Sequence, residues 1–111
     1  MILFAGVEFA AQAQVSGYRL KQADSLYLDK KYTQSLDHYQ TILSQNEYTP
    51  AMLLKMAYIQ EGLNHVGQAL YYLNLYYVAS NDKSVLAKME ELAKRYNLEG
   101  YELSDADQAL S

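Results

Sequence analysis

The side chains that could perform acid–base or metal chemistry in this chain are few and isolated. His38 and His65 are the two histidines, and neither has a second histidine or a carboxylate at a spacing typical of zinc sites. No serine is accompanied by the base and the orienting acid that nucleophilic hydrolysis needs. The five glycines are scattered, so the sequence has no glycine-rich phosphate-binding loop.

These observations predict a non-catalytic protein with no metal and no cofactor, in which both histidines are ordinary surface or hydrogen-bonded residues. The alternative is an enzyme built on a convergent geometry that no motif reveals. The absence of cysteine excludes disulfides, thiolate metal sites and a cysteine nucleophile. The net charge of −4, with nine scattered lysines and arginines, argues against nucleic acid as a ligand.

Tyrosine is the residue type that stands out, with 12 copies against two phenylalanines and no tryptophan. Four tyrosines crowd the segment 68–79, which is apolar nearly all round a helix and therefore predicts burial or contact with another molecule. These four have three interpretations: packing in the core, an interface patch that could support self-association, or a stacking site for a glycan or another small ligand. The residues concerned are Tyr71, Tyr72, Tyr76 and Tyr77.

The elements that position these residues are indicated by an internal repeat. The pattern Ala23-x8-Tyr32-x2-Ser35-Leu36-x2-Tyr39-x2-Ile42 is matched by Ala57-x8-Val66-x2-Ala69-Leu70-x2-Leu73-x2-Tyr76. With a period of about 34 residues and small residues at matched positions, the chain resembles the tetratricopeptide repeat family of helix–turn–helix units. Positions that depart from the family pattern are Arg19, Gln22, Ser35, Gln60 and Tyr76.

The resemblance implies an all-α, right-handed helical solenoid. Its parts would be a first repeat over residues 16–45, a second over 50–80, and a helix over 84–97. This last helix would either cap the array or form the first half of a third repeat. With 50% apolar residues in 111, the chain can bury a core of its own.

The resemblance also implies a function, which is binding of a protein or peptide partner in a concave groove lined by the first helices. Carried over by position, the groove residues are Leu20, Asp24, Tyr27, Leu54, Tyr58 and Glu61. The alternative for Leu20 and Leu54 is packing against a neighbouring helix. The set lacks the lysines and asparagines with which chaperone-binding members clamp a terminal carboxylate.

The ends of the chain carry further expectations. Residues 1–13 predict an export signal cut before Gln14, because Ala11-Gln12-Ala13 has the small-x-small form; an ordinary helix is the alternative. This apolar run is too short to span a bilayer, which takes about 20 residues. In the segment 98–111, Ser104-x-x-Asp107 resembles the start of a helix.

A narrower resemblance adds to the export prediction. The stretches "ADSLYLDKKYTQSLDHYQTIL" and "ELAKRYNLEGYELSD" look like the small exported repeat proteins of bacterial aerotolerance operons. The implied location is the periplasm or cell envelope, or the cytoplasm if the N-terminal segment is not a signal.

Local predictions concern the helix ends and the last helix. Thr49 is expected to cap the helix that begins at Pro50, and Ser84 to cap the helix after the second repeat. Glu90 with Lys94, and Glu91 with Arg95, are expected to form i,i+4 ion pairs.

Overall fold

The structure, a computed structural model, describes residues 17–97 of the 111. The predicted signal and the C-terminal segment 98–111 lie outside the described residues. Over residues 17–97 the chain is helical and contains no strand, which confirms the all-α class. The elements are α1 over residues 17–28, α2 (Tyr32–Ser44), α3 (Pro50–Gly62), α4 (Val66–Ser80), a 3-10 turn (Lys83–Val85) and α5 over residues 86–97.

Two helix starts show how short polar side chains fix the ends of these elements. The N–H of Met52 donates to Oγ1 of Thr49 at 3.1 Å, which confirms Thr49 as the cap of α3. The predicted cap at Ser84 is wrong. Asp82 occupies that role instead, because its carboxylate accepts both the N–H (3.0 Å) and the hydroxyl (2.6 Å) of Ser84.

The turn between the helices of a pair has the same backbone geometry in both pairs. Lys30 has φ of 62° and Asn64 has φ of 63°, although neither is glycine. The next residues, Lys31 and His65, also match, with φ/ψ of −90°/68° and −93°/75°. A left-handed residue at the second position after a helix, following the C-cap residue, is typical of the Schellman motif.

The hydrogen bonds of the two turns confirm this match. Each turn has four backbone N–H···O bonds of 2.9–3.1 Å, and every donor and acceptor of the second lies one sequence period after its counterpart. The first turn has Asp29 to Ser25, Lys30 to Tyr27, Lys31 to Leu26 and Ser35 to Lys31; the second has Leu63 to Ile59, Asn64 to Glu61, His65 to Gln60 and Ala69 to His65. The sequence repeat is therefore also a repeat of backbone structure.

The chain divides into two compact units, the first ending at Met52 and the second beginning at Leu53, within α3. In the first unit, α1 and α2 run antiparallel, because Ala23 contacts Ser35 whereas Tyr27 contacts Tyr32. Ala23, Ser35 and Tyr39 are fully buried. The hydroxyl of Ser35 donates to the carbonyl of Ala23 at 2.7 Å, so this small residue closes the helix crossing with a hydrogen bond.

The second unit has its own apolar core, to which α3, α4, the 3-10 turn and α5 all contribute. Partly buried side chains from the same elements pack around this core. Its buried members are Ala57, Val66, Ala69, Leu73, Val85 and Leu92. Within residues 17–97, no helix is both long enough and apolar enough to cross a bilayer.

Candidate functional site

The predicted groove residues of α1 all make contacts within the first unit. Leu20 is half-buried and lines a cavity of about 100 Å³ together with residues such as Ile42 and Met52. The carboxylate of Asp24 accepts a hydrogen bond of 2.5 Å from the hydroxyl of Tyr39. The ring of Tyr27 lies edge-on to that of Tyr32, with centroids 5.4 Å apart.

The predicted groove residues of α3 differ from one another in exposure. Leu54 is half-buried and packs against the core of the second unit. Glu61 is held in an ion-pair network within the same unit. Tyr58 is 47% exposed, the most exposed of the six predicted groove residues. Tyr58 is therefore the member of the set with the largest surface available for contact with another molecule.

The network around Glu61 joins α3 to α5. Oε2 of Glu61 accepts from Nζ of Lys88 at 2.6 Å and from Nη1 of Arg95 at 3.2 Å. The hydrogen bond to Glu61 raises the pKa of Lys88, because it favours the charged form of the lysine.

This network also corrects one of the predicted ion pairs. Arg95 contacts Glu61 rather than Glu91, and Glu91 instead contacts Lys88 at 3.3 Å. The Glu90–Lys94 pair forms as expected, at 3.3 Å.

The four tyrosines of α4 separate into two groups. Tyr72, Tyr76 and Tyr77 are half-buried and pack against the core of the second unit. Tyr71 is 58% exposed and lies edge-on to Tyr72, with ring centroids 5.3 Å apart. The structure therefore does not bring the four rings together on one exposed face.

Tyr76 reaches its polar partner at the end of α4. Its hydroxyl donates to Oδ2 of Asp82 at 2.6 Å. Hydrogen bonds from the Ser84 hydroxyl, which has the larger effect, and from the Tyr76 hydroxyl stabilise the charged carboxylate of Asp82. They therefore lower the pKa of Asp82. The hydrogen bond to Asp82 raises the pKa of Tyr76. The half-buried ring thus has a partner for its hydroxyl.

The second unit has an open groove of about 850 Å³ between α4 and α5. At Gly67 the two helices approach closely, since a β-carbon there would lie 2.8 Å from the ring of Tyr96. The sequence pattern singles out Tyr71 but not the groove itself, which only the packing of α5 creates. The lining residues are His65, Val66, Gly67, Gln68, Leu70, Tyr71, Asn74, Met89 and Tyr96.

Both histidines have hydrogen-bonding neighbours. Nδ1 of His38 lies 3.3 Å from Nη1 of Arg19, and Nδ1 of His65 lies 2.8 Å from Oε1 of the buried Gln60. In the part of the chain that the structure describes, no three histidine, aspartate or glutamate side chains form a group that could hold a metal ion.

Comparison with protein-family models, with curated proteins and with solved structures gives no match.

Proposed function

We propose that the chain is a non-catalytic interaction module, a helical solenoid of the tetratricopeptide type, that binds a peptide or helix of a partner protein. The observation that carries this proposal is the duplicated turn. Four hydrogen bonds and one left-handed residue recur at the period of the sequence repeat, which is also the period of tetratricopeptide units. Proteins built from such units use extended surfaces of stacked helices for binding.

The exposed face of α3 is the proposed contact surface, with Tyr58 at its centre. Tyrosine is enriched among the residues that contribute most to binding, because its ring buries a large area and its hydroxyl can form a hydrogen bond. Tyr39 and Tyr76 use their hydroxyls for contacts within their own units, whereas nearly half of the Tyr58 side chain faces solvent. Leu54, one helical turn earlier, is the second residue of this surface.

Site-specific photo-crosslinking in the native host would test this surface. A photoreactive phenylalanine at position 58 is expected to give a discrete crosslinked partner, and Tyr58→Ala or Leu54→Ala to reduce its capture while helical circular dichroism is retained. Position 48 provides a matched control, since Tyr48 is 55% exposed but lies in the loop before α3. Equal crosslinking from positions 48 and 58, or capture unchanged by both alanine variants, would overturn the proposal.

A second candidate function is self-association through α4. Tyr71 (58% exposed) and Val78 (76% exposed) are two helical turns apart and thus share one face of this helix. Light scattering over a concentration series is expected to show dimers of the parent protein. Val78→Lys is expected to abolish these dimers. The control is Leu28→Lys on α1, where a slightly larger apolar side chain is 81% exposed. A chain that stays monomeric at high micromolar concentration would exclude this function.

We also propose that the module is exported to the cell envelope. The support is the Ala11-Gln12-Ala13 sequence, after which signal peptidase would cut. The intact mass of the protein recovered from the envelope of its host is expected to correspond to a chain starting at Gln14. A mass that includes Met1 would contradict export by this route.

A further inference from the structure

The groove between α4 and α5 combines apolar surface with exposed hydrogen-bonding groups. Val66, Leu70 and Met89 provide the apolar part. The polar part consists of an imidazole, two amides and two phenolic hydroxyls, all on exposed residues: His65, Gln68, Asn74, Tyr71 and Tyr96. An apolar helix lying in the groove would take water away from these groups without replacing its hydrogen bonds, which is unfavourable. The groove therefore suits a ligand that has both apolar surface and hydrogen-bonding groups of its own.

The groove lining is also uncharged. Within residues 17–97, no aspartate, glutamate, lysine or arginine lines the groove. The charged side chains of α5 have partners of opposite charge, since Lys88 and Arg95 contact Glu61, and Lys94 contacts Glu90. A charged ligand would lose hydration in the groove without gaining an opposite charge there. The groove therefore favours a neutral ligand.

Two tyrosine rings in the groove are available for stacking. Tyr71 is 58% exposed and Tyr96 is 53% exposed. The ring of Tyr96 lies against Gly67, and Tyr71 follows Gly67 by one turn on the same face of α4. The ring of Tyr72, which packs on the core, contacts Tyr71 edge-on and limits its movement. The groove thus presents aromatic surfaces on two neighbouring turns of α4.

The polar groups of the groove include both donors and acceptors. Nδ1 of His65 lies 2.8 Å from Oε1 of the buried Gln60. Because a carbonyl oxygen can only accept, Nδ1 carries the proton and Nε2 of His65 is left as an acceptor. The amides of Gln68 and Asn74 each add a donor and an acceptor. Such a set matches neighbouring hydroxyl groups, each of which can donate and accept.

We propose that this groove binds a neutral oligosaccharide of β-linked glucose or N-acetylglucosamine units. All ring substituents of these sugars are equatorial, so both faces of each ring present C–H bonds and the hydroxyls lie around its edge. The faces suit the rings of Tyr71 and Tyr96, and the hydroxyls suit the amides and the imidazole. The groove volume of about 850 Å³ lies within the range of about 300–1,000 Å³ that is usual for ligand sites. This site is separate from the proposed surface at Tyr58 and does not depend on partner binding.

Titration of the ¹⁵N-labelled full-length protein, followed by NMR, would test the site. Cellotriose and triacetylchitotriose are the probes, and each is expected to shift the amide signals of residues 65–74 and of Tyr96 in a saturable way. The control ligand is the uronic acid form of cellotriose, in which carboxylates replace the hydroxymethyl groups. It is expected to bind at least about tenfold more weakly, because the groove lining offers no positive charge.

A matched pair of glycine substitutions tests the position of the Tyr96 ring. In Gly67→Ala the new β-carbon would lie 2.8 Å from this ring, so the ring must move. Affinity for cellotriose is expected to fall about fivefold as one stacking contact is lost, while helical circular dichroism is retained because alanine favours the helix. The control is Gly62→Ala, where the β-carbon meets nothing within 4 Å and affinity should not change. Tyr71→Ala is expected to weaken binding by a similar factor.

The outcomes separate a sugar site from other uses of the groove. Saturable shifts with the neutral sugars, weakened by Gly67→Ala but not by Gly62→Ala, would support the proposal. No saturable shift with either sugar, equal affinity for the uronic acid form, or unchanged affinity in Gly67→Ala would overturn it. Signals of α4 and α5 that shift with protein concentration in the absence of sugar would show that a second copy covers the groove, which would also overturn it.

Discussion

Tyr39 is a buried polar residue whose matching position in the second repeat is apolar. Its counterpart one period later is Leu73, and both side chains are at most 1% exposed. A buried tyrosine hydroxyl requires a hydrogen-bond partner, and Asp24 provides one at 2.5 Å. In the first unit, the predicted groove residue Asp24 therefore also has a structural role.

Tyr39→Phe tests that role. The free energy of unfolding of the variant is expected to be lower by about 1.5–3 kcal/mol, the usual contribution of one hydrogen bond to a charged group. Urea denaturation followed by circular dichroism would measure the change. Tyr58→Phe, on an exposed ring, serves as the control and should leave the midpoint unchanged.

The pH dependence of the protein's stability provides a second test of the role of the Tyr39 hydroxyl. Burial, followed by the hydrogen bond to Asp24, raises the pKa of Tyr39 in the folded state. The unfolded chain therefore loses this proton first, near pH 10. The contribution of Tyr39 to the free energy of unfolding is therefore fully present below that pH, and it is lost as the pH rises further. The melting temperature of Tyr39→Phe should therefore fall less steeply with rising pH than that of the parent protein. An equally steep fall would show that ionisation of Tyr39 does not destabilise the folded state.

At the scale of elements, the two turns have the same backbone conformation but different residue types at the left-handed position, Lys30 in the first and Asn64 in the second. Lys30 adopts left-handed φ at a cost of about 1–2 kcal/mol for an ordinary side chain, whereas asparagine tolerates this region better. The turn after α1 is thus the more strained of the two.

Lys30→Gly is expected to stabilise the protein by about 1 kcal/mol, because glycine removes the steric cost of left-handed φ. Asn64→Gly should have a smaller effect. Lys31→Gly is the control, since Lys31 has φ of −90° and gains nothing from glycine. Urea midpoints would rank the three variants, and a gain at Lys31 as large as at Lys30 would disprove the strain at Lys30.

The attachment of α5 depends partly on the charge of Glu61. Glu61→Gln leaves Lys88 and Arg95 without their shared carboxylate and should lower stability by about 1 kcal/mol, at the upper end for partly exposed pairs. The loss should shrink in high salt, which screens such pairs. The control, Glu91→Gln, removes one contact of Lys88 at a more exposed position. If both variants lose the same amount at every salt concentration, the network does not hold α5.

The helix pairs could be predicted from sequence because their signals are local. The small residues Ala23, Ala57 and Ala69 act between the two helices of one pair, which are close in sequence, and the proline after Thr49 acts at the first turn of its own helix. The partner of Arg95 could not be predicted, because it depends on where α5 packs rather than on the spacing within α5. The groove at Gly67 could not be predicted for the same reason, since the ring that approaches Gly67 belongs to the distant residue Tyr96.

At the scale of the whole molecule, the boundary between Met52 and Leu53 predicts two regions of local stability. Helical repeat proteins gain stability from each repeat and from the contacts between neighbours. A destabilising substitution in one unit is therefore expected to lower the local stability of that unit more than the local stability of the other unit.

Leu73→Ala tests this expectation. Truncating a side chain that is 1% exposed should lower the stability of the second unit by about 2–5 kcal/mol. Hydrogen exchange read by mass spectrometry should then accelerate more in α4 and α5 than in α1 and α2. Tyr39→Phe should give the opposite pattern. Uniform acceleration in both variants would show that the chain unfolds as one cooperative unit.

The duplicated turn has a consequence for how such a chain can change in length. A second copy of residues 31–64, inserted after Asn64, would join Asn64 to Lys31. The donors and acceptors at that junction would come from the same positions that already bond in the two existing turns. Gene duplication in steps of one period would therefore extend the protein by whole helix pairs without requiring a new type of connection.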